Sequence, residues 1–225
     1  MIAVTPLHRH QIAWLSRDGW HHVLARDRDD EARDCLRHWA LQRLPLVVTR
    51  QPEQLRDGEI ALGLSAPARW QRRRMAVQLP RAAVAYFDEF PGLARLLGQL
   101  PAPARMPLRR LAQALQAHGM AARPYGSHGW QALTGMEHVR PGSDLDLWVG
   151  VSSIEQADAA AALLADGAGP VRLDGELVFP GDEAVAWREW QAWRGGHTRL
   201  LLVKGLAGAF TVRSLSHFEP LAVAA

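Results

Sequence analysis

Two aspartates separated by a single leucine, Asp144 and Asp146, are the residues of this sequence best suited to chemistry. On a β-strand, residues two positions apart point to the same face of the sheet, so a strand over residues 144–151 places both carboxylates together. Neighbouring carboxylates repel each other and are unfavourable in a strand unless a cation compensates them. Magnesium binds carboxylate, water and phosphate oxygens, and it is the cation that we expect here, in a phosphoryl-type displacement.

A glycine–serine pair, Gly126 and Ser127, precedes the aspartates at a predicted strand-to-helix turn. Gly126 has no side chain to obstruct a phosphate, and we expect Ser127 to cap the following helix, whose free amides attract an anion. The structural alternative is that Gly126 forms a turn and Asp144 caps a strand after the loop at 140–143. Each motif alone is weak, but together, in the order strand, turn, helix, strand, they predict a phosphate site and a metal site.

The elements that position these residues predict an α+β protein with two domains. We expect a small N-terminal α+β domain over residues 1–81 and a catalytic domain over residues 82–225, a mixed sheet with packed helices. The pattern turns helical from about residue 82, and the proline-rich segment 100–107 reads as a connector. The N-terminal domain is predicted to contain helices at 8–16 and 30–43 and strands at 44–50, 59–65 and 73–80. The catalytic domain is predicted to contain helices at 108–118, 128–135, 153–167 and 182–193 and strands at 121–125, 144–151, 171–179 and 198–205.

The Gly-Ser turn followed by Asp-x-Asp on the next strand resembles the DNA-polymerase-β-like nucleotidyltransferase superfamily. In that superfamily a third carboxylate comes from a neighbouring strand, and the strand at 171–179 carries Asp174 and Glu176 on one face. We favour Asp174, which follows Leu173 in the manner of the third ligand, and Glu176 stays open as the alternative. The structural alternative for both acids is a solvated strand edge.

Three stretches of the sequence resemble one family more specifically than the superfamily: "YGSHGWQALTG", "SDLDLWV" and "LDGELVFPGDEAVAWREW". They are similar to the malonate decarboxylase holo-acyl-carrier-protein synthase family, also called phosphoribosyl-dephospho-CoA transferase. The resemblance implies that the prosthetic group of 2'-(5''-triphosphoribosyl)-3'-dephospho-CoA is transferred to a serine of the apo acyl carrier subunit of malonate decarboxylase, with release of pyrophosphate. It also implies Mg²⁺ bound by Asp144, Asp146 and Asp174, with Asp174 activating the carrier serine or accepting its proton.

Four more residues complete the predicted substrate site. Arg123 and Lys204, the only lysine of the chain, are candidate phosphate cations, although Lys204 at a strand end also suits a solvated terminus. Trp148 shares the aspartate face and is a candidate for stacking on the adenine, with Trp130 as the alternative. Ser143 stands directly before the first aspartate and is a candidate substrate contact.

The charge of the chain bears on its partners. The formal net charge is +3, and nearly all positive residues are arginines, which suit phosphate and carboxylate groups. The densest arginine cluster, at residues 69–74, is a candidate docking patch, but no aromatic platform accompanies it, so we expect no nucleic-acid partner.

Other features of the sequence exclude some classes of protein. No signal peptide and no bilayer-spanning apolar run are visible, and one cysteine cannot form an internal disulfide, so we expect a cytoplasmic enzyme without a membrane partner. Two further functions stay open: a superfamily member that uses ATP or another nucleotide to modify a small molecule or protein, and an inactive nucleotide-binding scaffold.

Overall fold

The computed structural model describes residues 6–167 and 169–219. In this part of the chain the strands are β1 (Ile12–Leu15), β2 (Leu46–Val48), β3 (Glu59–Ser65), β4 (Arg74–Pro80), β5 (Val84–Asp88), β6 (Ala122–Pro124), β7 (Leu145–Gly150), β8 (Leu173–Phe179), β9 (Glu183–Ala186), β10 (Leu201–Lys204) and β11 (Ala209–Val212). The helices are α1 (Arg17–Leu24), α2 (Asp30–Leu41), α3 (Leu93–Leu96), α4 (Ala102–Ala117), α5 (Gly126–Thr134), α6 (Ile154–Asp166) and α7 (Trp187–Arg194). Helices and two sheets together confirm the predicted α+β class.

The chain divides into two compact units, each assembled from three segments. The first unit contains Met1–Phe90, Tyr125–Pro141 and Leu206–Gly208, and the second contains Pro91–Pro124, Gly142–Gly205 and Ala209–Ala225. The predicted domain ranges of 1–81 and 82–225 stay a prediction.

The first unit is built on a five-stranded antiparallel sheet in the order β4-β3-β2-β1-β5. Its helix α2 is capped by Asp29, whose carboxylate accepts a hydrogen bond from the backbone N–H of Ala32 at 2.9 Å. Arg73 donates to the same carboxylate and, with that amide, lowers the pKa of Asp29 to about 2. One ion pair therefore ties the start of α2 to the strand region of the same unit.

Aromatic side chains fill the core of the first unit. The indole of Trp39 is fully buried, and Trp130 of α5 is 4% exposed. The ring centroid of Trp130 lies 6.4 Å from that of Trp39 and 6.1 Å from that of Phe90, both in edge-to-face geometry. Helix α5 therefore supplies part of this core from a distant segment of the chain.

The second unit is built on a six-stranded mixed sheet in the order β11-β10-β9-β8-β7-β6. Strands β7 and β8 are parallel, joined by a crossover that contains α6, and the other pairs are antiparallel. Leu145, Leu147 and Val149 of β7 are fully buried, while Asp146 and Trp148 between them are half-buried. The predicted mixed sheet and the predicted two faces of this strand are both confirmed.

The N-terminal elements differ from the prediction. The predicted helix at 8–16 is wrong, because Ile12–Leu15 forms a strand that pairs with both β2 and β5. The helix begins only after the predicted range, at Arg17, where Ser16 accepts a hydrogen bond from the backbone N–H of Gly19 at 3.1 Å. The helical reading from residue 82 is also wrong at Val84–Asp88, which is the edge strand β5. Pairing with distant strands outweighs the local pattern at both places.

Two further elements of the second unit were misread. The segment 100–107 was predicted as a connector, but α4 includes Pro103 in its first turn, where no amide donor is needed, and continues through Pro107. Buried residues of α4 at helical spacing stabilise it past this proline: Ala104, Leu108, Leu111 and Leu115. The segment 182–193 was predicted helical throughout, but its first residues form β9, which pairs with β8 before α7 begins. Strand β11 was not predicted.

Over residues 6–167 and 169–219, no helix combines the length and the apolarity that a membrane span requires.

Candidate active site

The carboxylates of the predicted metal site lie at the same level of two neighbouring strands. In the parallel pair β7 and β8, Asp146 is aligned with Asp174. Aligned residues of adjacent strands share a sheet face, with about 4.8 Å between the strands. Asp144 stands just before β7, its side chain 29% exposed, after the half-buried Ser143. The second unit therefore brings Asp146 and Asp174 side by side, with Asp144 two residues before Asp146, at the entry to β7.

Arg172 and Gly175 contact the carboxylates of Asp144 and Asp174. A guanidinium nitrogen of Arg172 lies 3.7 Å from an Oδ of Asp144, and the backbone N–H of Gly175 donates to Oδ1 of Asp174 at 2.8 Å. Among the described residues, no group of three or more His, Cys, Asp or Glu side chains is gathered closely enough to hold a metal ion. The donor chemistry fits Mg²⁺, since all three groups are carboxylates, but the side chains must move closer together to bind one ion.

Glycine at position 175 is required by the approach of the two strands. The φ angle of Gly175 is +134°, and a Cβ at this position would lie 2.0 Å from the carbonyl oxygen and 2.5 Å from the backbone nitrogen of Leu147. Real Cβ atoms essentially never come within 3.0 Å of such a neighbour. Because Leu147 and Gly175 are themselves aligned, the register of Asp146 with Asp174 depends on a glycine next to the acid.

Glu176, the alternative third carboxylate, is occupied by an ion pair. Its side chain is 5% exposed and accepts a hydrogen bond from Nζ of Lys204 at 2.9 Å. Its aligned neighbour on β7 is Trp148 and not an aspartate. This geometry favours Asp174 over Glu176 beside Asp146. It also places the ammonium group of Lys204, predicted as a phosphate contact, on an internal carboxylate.

Trp148 lies along the sheet on the same face as the acids. A Cβ at Gly150 would lie 2.9 Å from Cη2 and 3.0 Å from Cζ3 of the Trp148 indole, so the ring extends over this glycine. Arg123 of β6 is the aligned neighbour of Trp148 on its other side. The alternative stacking residue, Trp130, is wrong as a substrate contact because it is buried in the core of the first unit.

Gly126 and Ser127 open helix α5, in the first unit, whereas the acids belong to the second. The φ angle of Gly126 is +59°, which favours glycine at this turn. The expectation that Ser127 caps the helix is wrong: the N-cap position is Tyr125, and no side chain caps the helix. The side chain of the N-cap residue therefore supplies no acceptor for the first amide groups of α5. The prediction that Gly126 and Ser127 bind phosphate together with the acids stays a prediction.

The sheet face that carries Asp144, Asp146 and Asp174 is called the acidic face below. Sequence reasoning missed three residues that shape it. Arg172 pairs with Asp144, Gly175 sets the strand register, and Gly150 makes room for the indole of Trp148. Arg172 was visible as a same-face neighbour two positions before Asp174. A glycine inside a strand pattern is itself a signal of close backbone approach, and it could have identified Gly175.

Two family models match the chain, one over each half. The phosphoribosyl-dephospho-CoA transferase MdcG N-terminal domain matches residues 8–90. The phosphoribosyl-dephospho-CoA transferase MdcG C-terminal domain matches residues 92–214. Together they include every candidate site residue named above.

Curated relatives carry the same name. The phosphoribosyl-dephospho-CoA transferase of Xanthomonas euvesicatoria pv. vesicatoria (strain 85-10) is 34% identical over 199 residues, which cover 87% of this chain and 89% of the relative. That of Bradyrhizobium diazoefficiens is 34% identical over 200 residues, 88% of this chain and 86% of the relative. That of Pseudomonas putida is 37% identical over 160 residues, 69% and 76%. No solved structure matches the chain. The chain therefore belongs to the phosphoribosyl-dephospho-CoA transferase family and is a transferase.

Proposed function

We propose that this transferase attaches the phosphoribosyl-dephospho-CoA group to a serine of the apo acyl carrier subunit of malonate decarboxylase. The donor is 2'-(5''-triphosphoribosyl)-3'-dephospho-CoA, and pyrophosphate is released. The observation that carries the proposal is the register of Asp146 with Asp174 on one sheet face, in a chain whose two halves both match this family. A cytoplasmic location, expected from the single buried cysteine, belongs to the same proposal.

The acidic face supplies the metal ligands of this reaction. Asp144, Asp146 and Asp174 would hold Mg²⁺ through carboxylate oxygens, the ligands that this ion prefers. Bound Mg²⁺ would neutralise negative charge on the triphosphate. The 3.7 Å contact of Arg172 with Asp144 joins two partly exposed side chains. Such a pair contributes only about 0–1 kcal/mol, so the Asp144 carboxylate can turn towards an incoming cation.

The transfer itself is a displacement at phosphorus. The serine oxygen of the carrier forms a bond to the α-phosphorus, and the bond from that phosphorus to the oxygen of the pyrophosphate breaks. The serine proton passes to the Asp174 carboxylate, and pyrophosphate leaves with the electron pair of the broken bond. Gly126 and Ser127, at the N-terminus of α5, are the proposed contacts of the leaving pyrophosphate.

The adenine and the remaining phosphates have candidate contacts on the same sheet. The indole of Trp148, lying over Gly150, offers a flat surface for the adenine. Arg123, aligned with Trp148, is the proposed phosphate contact on this strand. We propose that Lys204 holds the Glu176 carboxylate in position, because its ammonium group is bound to that carboxylate.

Mass spectrometry of the carrier tests the proposal. The protein is incubated with Mg²⁺, the triphosphoribosyl precursor and the apo carrier subunit, and a mass gain equal to the phosphoribosyl-dephospho-CoA group is expected. No gain with this precursor, but a product with ATP, would replace the proposal by another polymerase-β-like activity. No product with any nucleotide, despite nucleotide binding, would favour the scaffold.

Asp146→Asn tests the metal assignment. We expect it to abolish transfer and to weaken Mn²⁺ binding, followed by the paramagnetic signal of the free ion, without unfolding the protein. Asp166→Asn is the matched control, because Asp166 is an exposed acid at the end of α6 outside the site. Transfer by Asp146→Asn at the rate of the control would refute the assignment.

A further inference from the structure

The first unit contains an apolar cleft that none of the proposed catalytic residues lines. Its volume is about 910 Å³, and it lies between β1, α1, α2 and the edge strand β5. Trp14 of β1 and Tyr86 of β5 are aligned neighbours whose rings stack with centroids 5.7 Å apart. Helix α1 contributes Trp20 and Leu24 to the same cleft. The wall of the cleft is therefore largely aromatic and aliphatic.

Large apolar side chains at this cleft are left exposed to solvent. Leu41, at the end of α2, is 79% exposed, and Tyr86 is 54% exposed. Single exposed apolar residues are ordinary on a protein surface, but exposed apolar side chains grouped at one cleft mark an interaction site. An open cleft of this kind suits the apolar face of a helix, the mode in which an amphipathic helix binds in a groove.

The formally charged side chains that line the cleft are all arginines. Arg17, Arg37 and Arg43 line it and are exposed, and no residue that lines it is acidic. Within the part of the chain that the structure describes, none of these three guanidinium groups forms an ion pair or a side-chain hydrogen bond.

The arginine cluster at residues 69–74, suggested above as a docking patch, differs in this respect. Arg73 binds Asp29, Arg69 lies 3.9 Å from a carboxylate oxygen of Asp34, and Arg72 lies 3.9 Å from one of Glu137. These three arginines are compensated within the first unit. The three cleft arginines, by contrast, have no such partner among the described residues.

We propose that this cleft binds an amphipathic helix with acidic flanks on the apo acyl carrier subunit. The inference rests on the proposed function, since it names the surface on which the carrier substrate docks. The apolar face of the helix contacts Trp14, Leu41 and Tyr86, and its acidic side chains meet the guanidinium groups of Arg17 and Arg37. Charges at the rim act mainly on the rate of association, and the apolar contacts act mainly on dissociation.

Two variants and one control test the docking site. Arg37→Glu reverses a charge at the cleft, Leu41→Ser removes an exposed apolar contact, and Arg56→Glu reverses an exposed charge of the same unit outside the cleft. All three positions are exposed, so folding is expected to be unaffected. Binding of the apo carrier is measured by calorimetry, and transfer is measured with carrier and precursor varied separately.

Only the binding constant and the KM of the carrier are expected to change. Arg37→Glu and Leu41→Ser each raise the carrier Kd and KM by roughly tenfold, the effect of losing one contact of about 1.4 kcal/mol. The KM for the precursor and kcat at saturating carrier stay at the wild-type values, and Arg56→Glu behaves as wild type. The defect of Arg37→Glu fades at high salt, whereas that of Leu41→Ser persists.

Other results would overturn the inference, and they separate it from the proposed function. Transfer by both variants with the wild-type carrier KM refutes the docking site and leaves the proposed function standing. A raised KM for the precursor instead would make the cleft a nucleotide site. Wild-type dimers that Leu41→Ser disperses, with carrier KM unchanged, would assign the cleft to a second copy. Wild-type protein that neither binds nor modifies the carrier overturns both proposals.

Discussion

Replacing Gly175 by alanine tests whether the alignment of Asp146 with Asp174 is needed for transfer. The new Cβ would lie 2.0 Å from the carbonyl oxygen of Leu147, whereas ordinary contacts begin at 3.4 Å. Strands β7 and β8 must therefore separate by more than 1 Å, or the peptide at 175 must rotate. Either change displaces the carboxylate next to it.

The expected loss of stability in Gly175→Ala is the sum of two contributions to the free energy of unfolding. A non-glycine residue at a φ of +134° costs about 1–3 kcal/mol. Weakened ladder hydrogen bonds between the two strands cost about 1 kcal/mol each. We expect Gly175→Ala to lower the free energy of unfolding by roughly 3–4 kcal/mol. Displacement of a catalytic group by about 1 Å lowers the rate of transfer roughly 100-fold.

Gly181→Ala is the matched control. Gly181 also has a positive φ, +83°, but no atom lies within 4 Å of its Cβ position. This variant carries the conformational cost of about 1–2 kcal/mol without the clash, and its transfer rate should stay near that of wild type. Urea unfolding and carrier mass spectrometry measure the two effects. If Gly175→Ala is as stable and as active as Gly181→Ala, the close approach of the strands does not control the acids.

Three further predictions concern stability and reactivity. Lys204→Met should cost about 2–3 kcal/mol in urea unfolding, because it leaves the buried Glu176 carboxylate without its counter-charge, and Glu176→Gln should restore most of the loss; a Lys204→Met protein as stable as wild type would contradict this. Burial lowers the pKa of His138 from 6.5 to about 4. The unfolded chain thus takes up a proton at higher pH than the folded one, and stability should fall by up to about 3 kcal/mol between pH 6.5 and 4. His138→Gln should remove this part of the pH dependence, and an unchanged slope would refute the cause. Burial raises the pKa of the Cys35 thiol to about 12, so a disulfide reagent at pH 8 should label it only after unfolding; rapid labelling of the native protein would contradict this.

The acidic strand was predictable because its pattern is local. Leu145, Leu147 and Val149 alternate with Asp146, Trp148 and Gly150 over the whole of β7, and a period of two defines both the strand and its faces. The aspartates on the other face then needed only their spacing to suggest chemistry. The alignment of Asp174 with Asp146 could be expected from the family resemblance, but only the strand register establishes it.

The features that were missed depend on residues far apart in the chain. The segment Ile12–Leu15 is a strand because β2 and β5 pair with it, and no local signal reports those partners. Lys204 and Glu176 meet through the fold of the second sheet, so a lysine predicted for phosphate is bound to a carboxylate instead. Pro107 was read as a helix breaker because its buried stripe of neighbours is apparent only once α4 is packed.

The position of Trp130 affects the order in which this protein can fold during synthesis. The five strands of the first sheet are complete when Asp88 has been made. Their core still lacks the indole of Trp130, which belongs to the returning segment Tyr125–Pro141. Between the two lies Pro91–Pro124, which belongs to the second unit. During synthesis, the core of the first unit therefore lacks Trp130 while the ribosome adds the segment Pro91–Pro124 of the second unit.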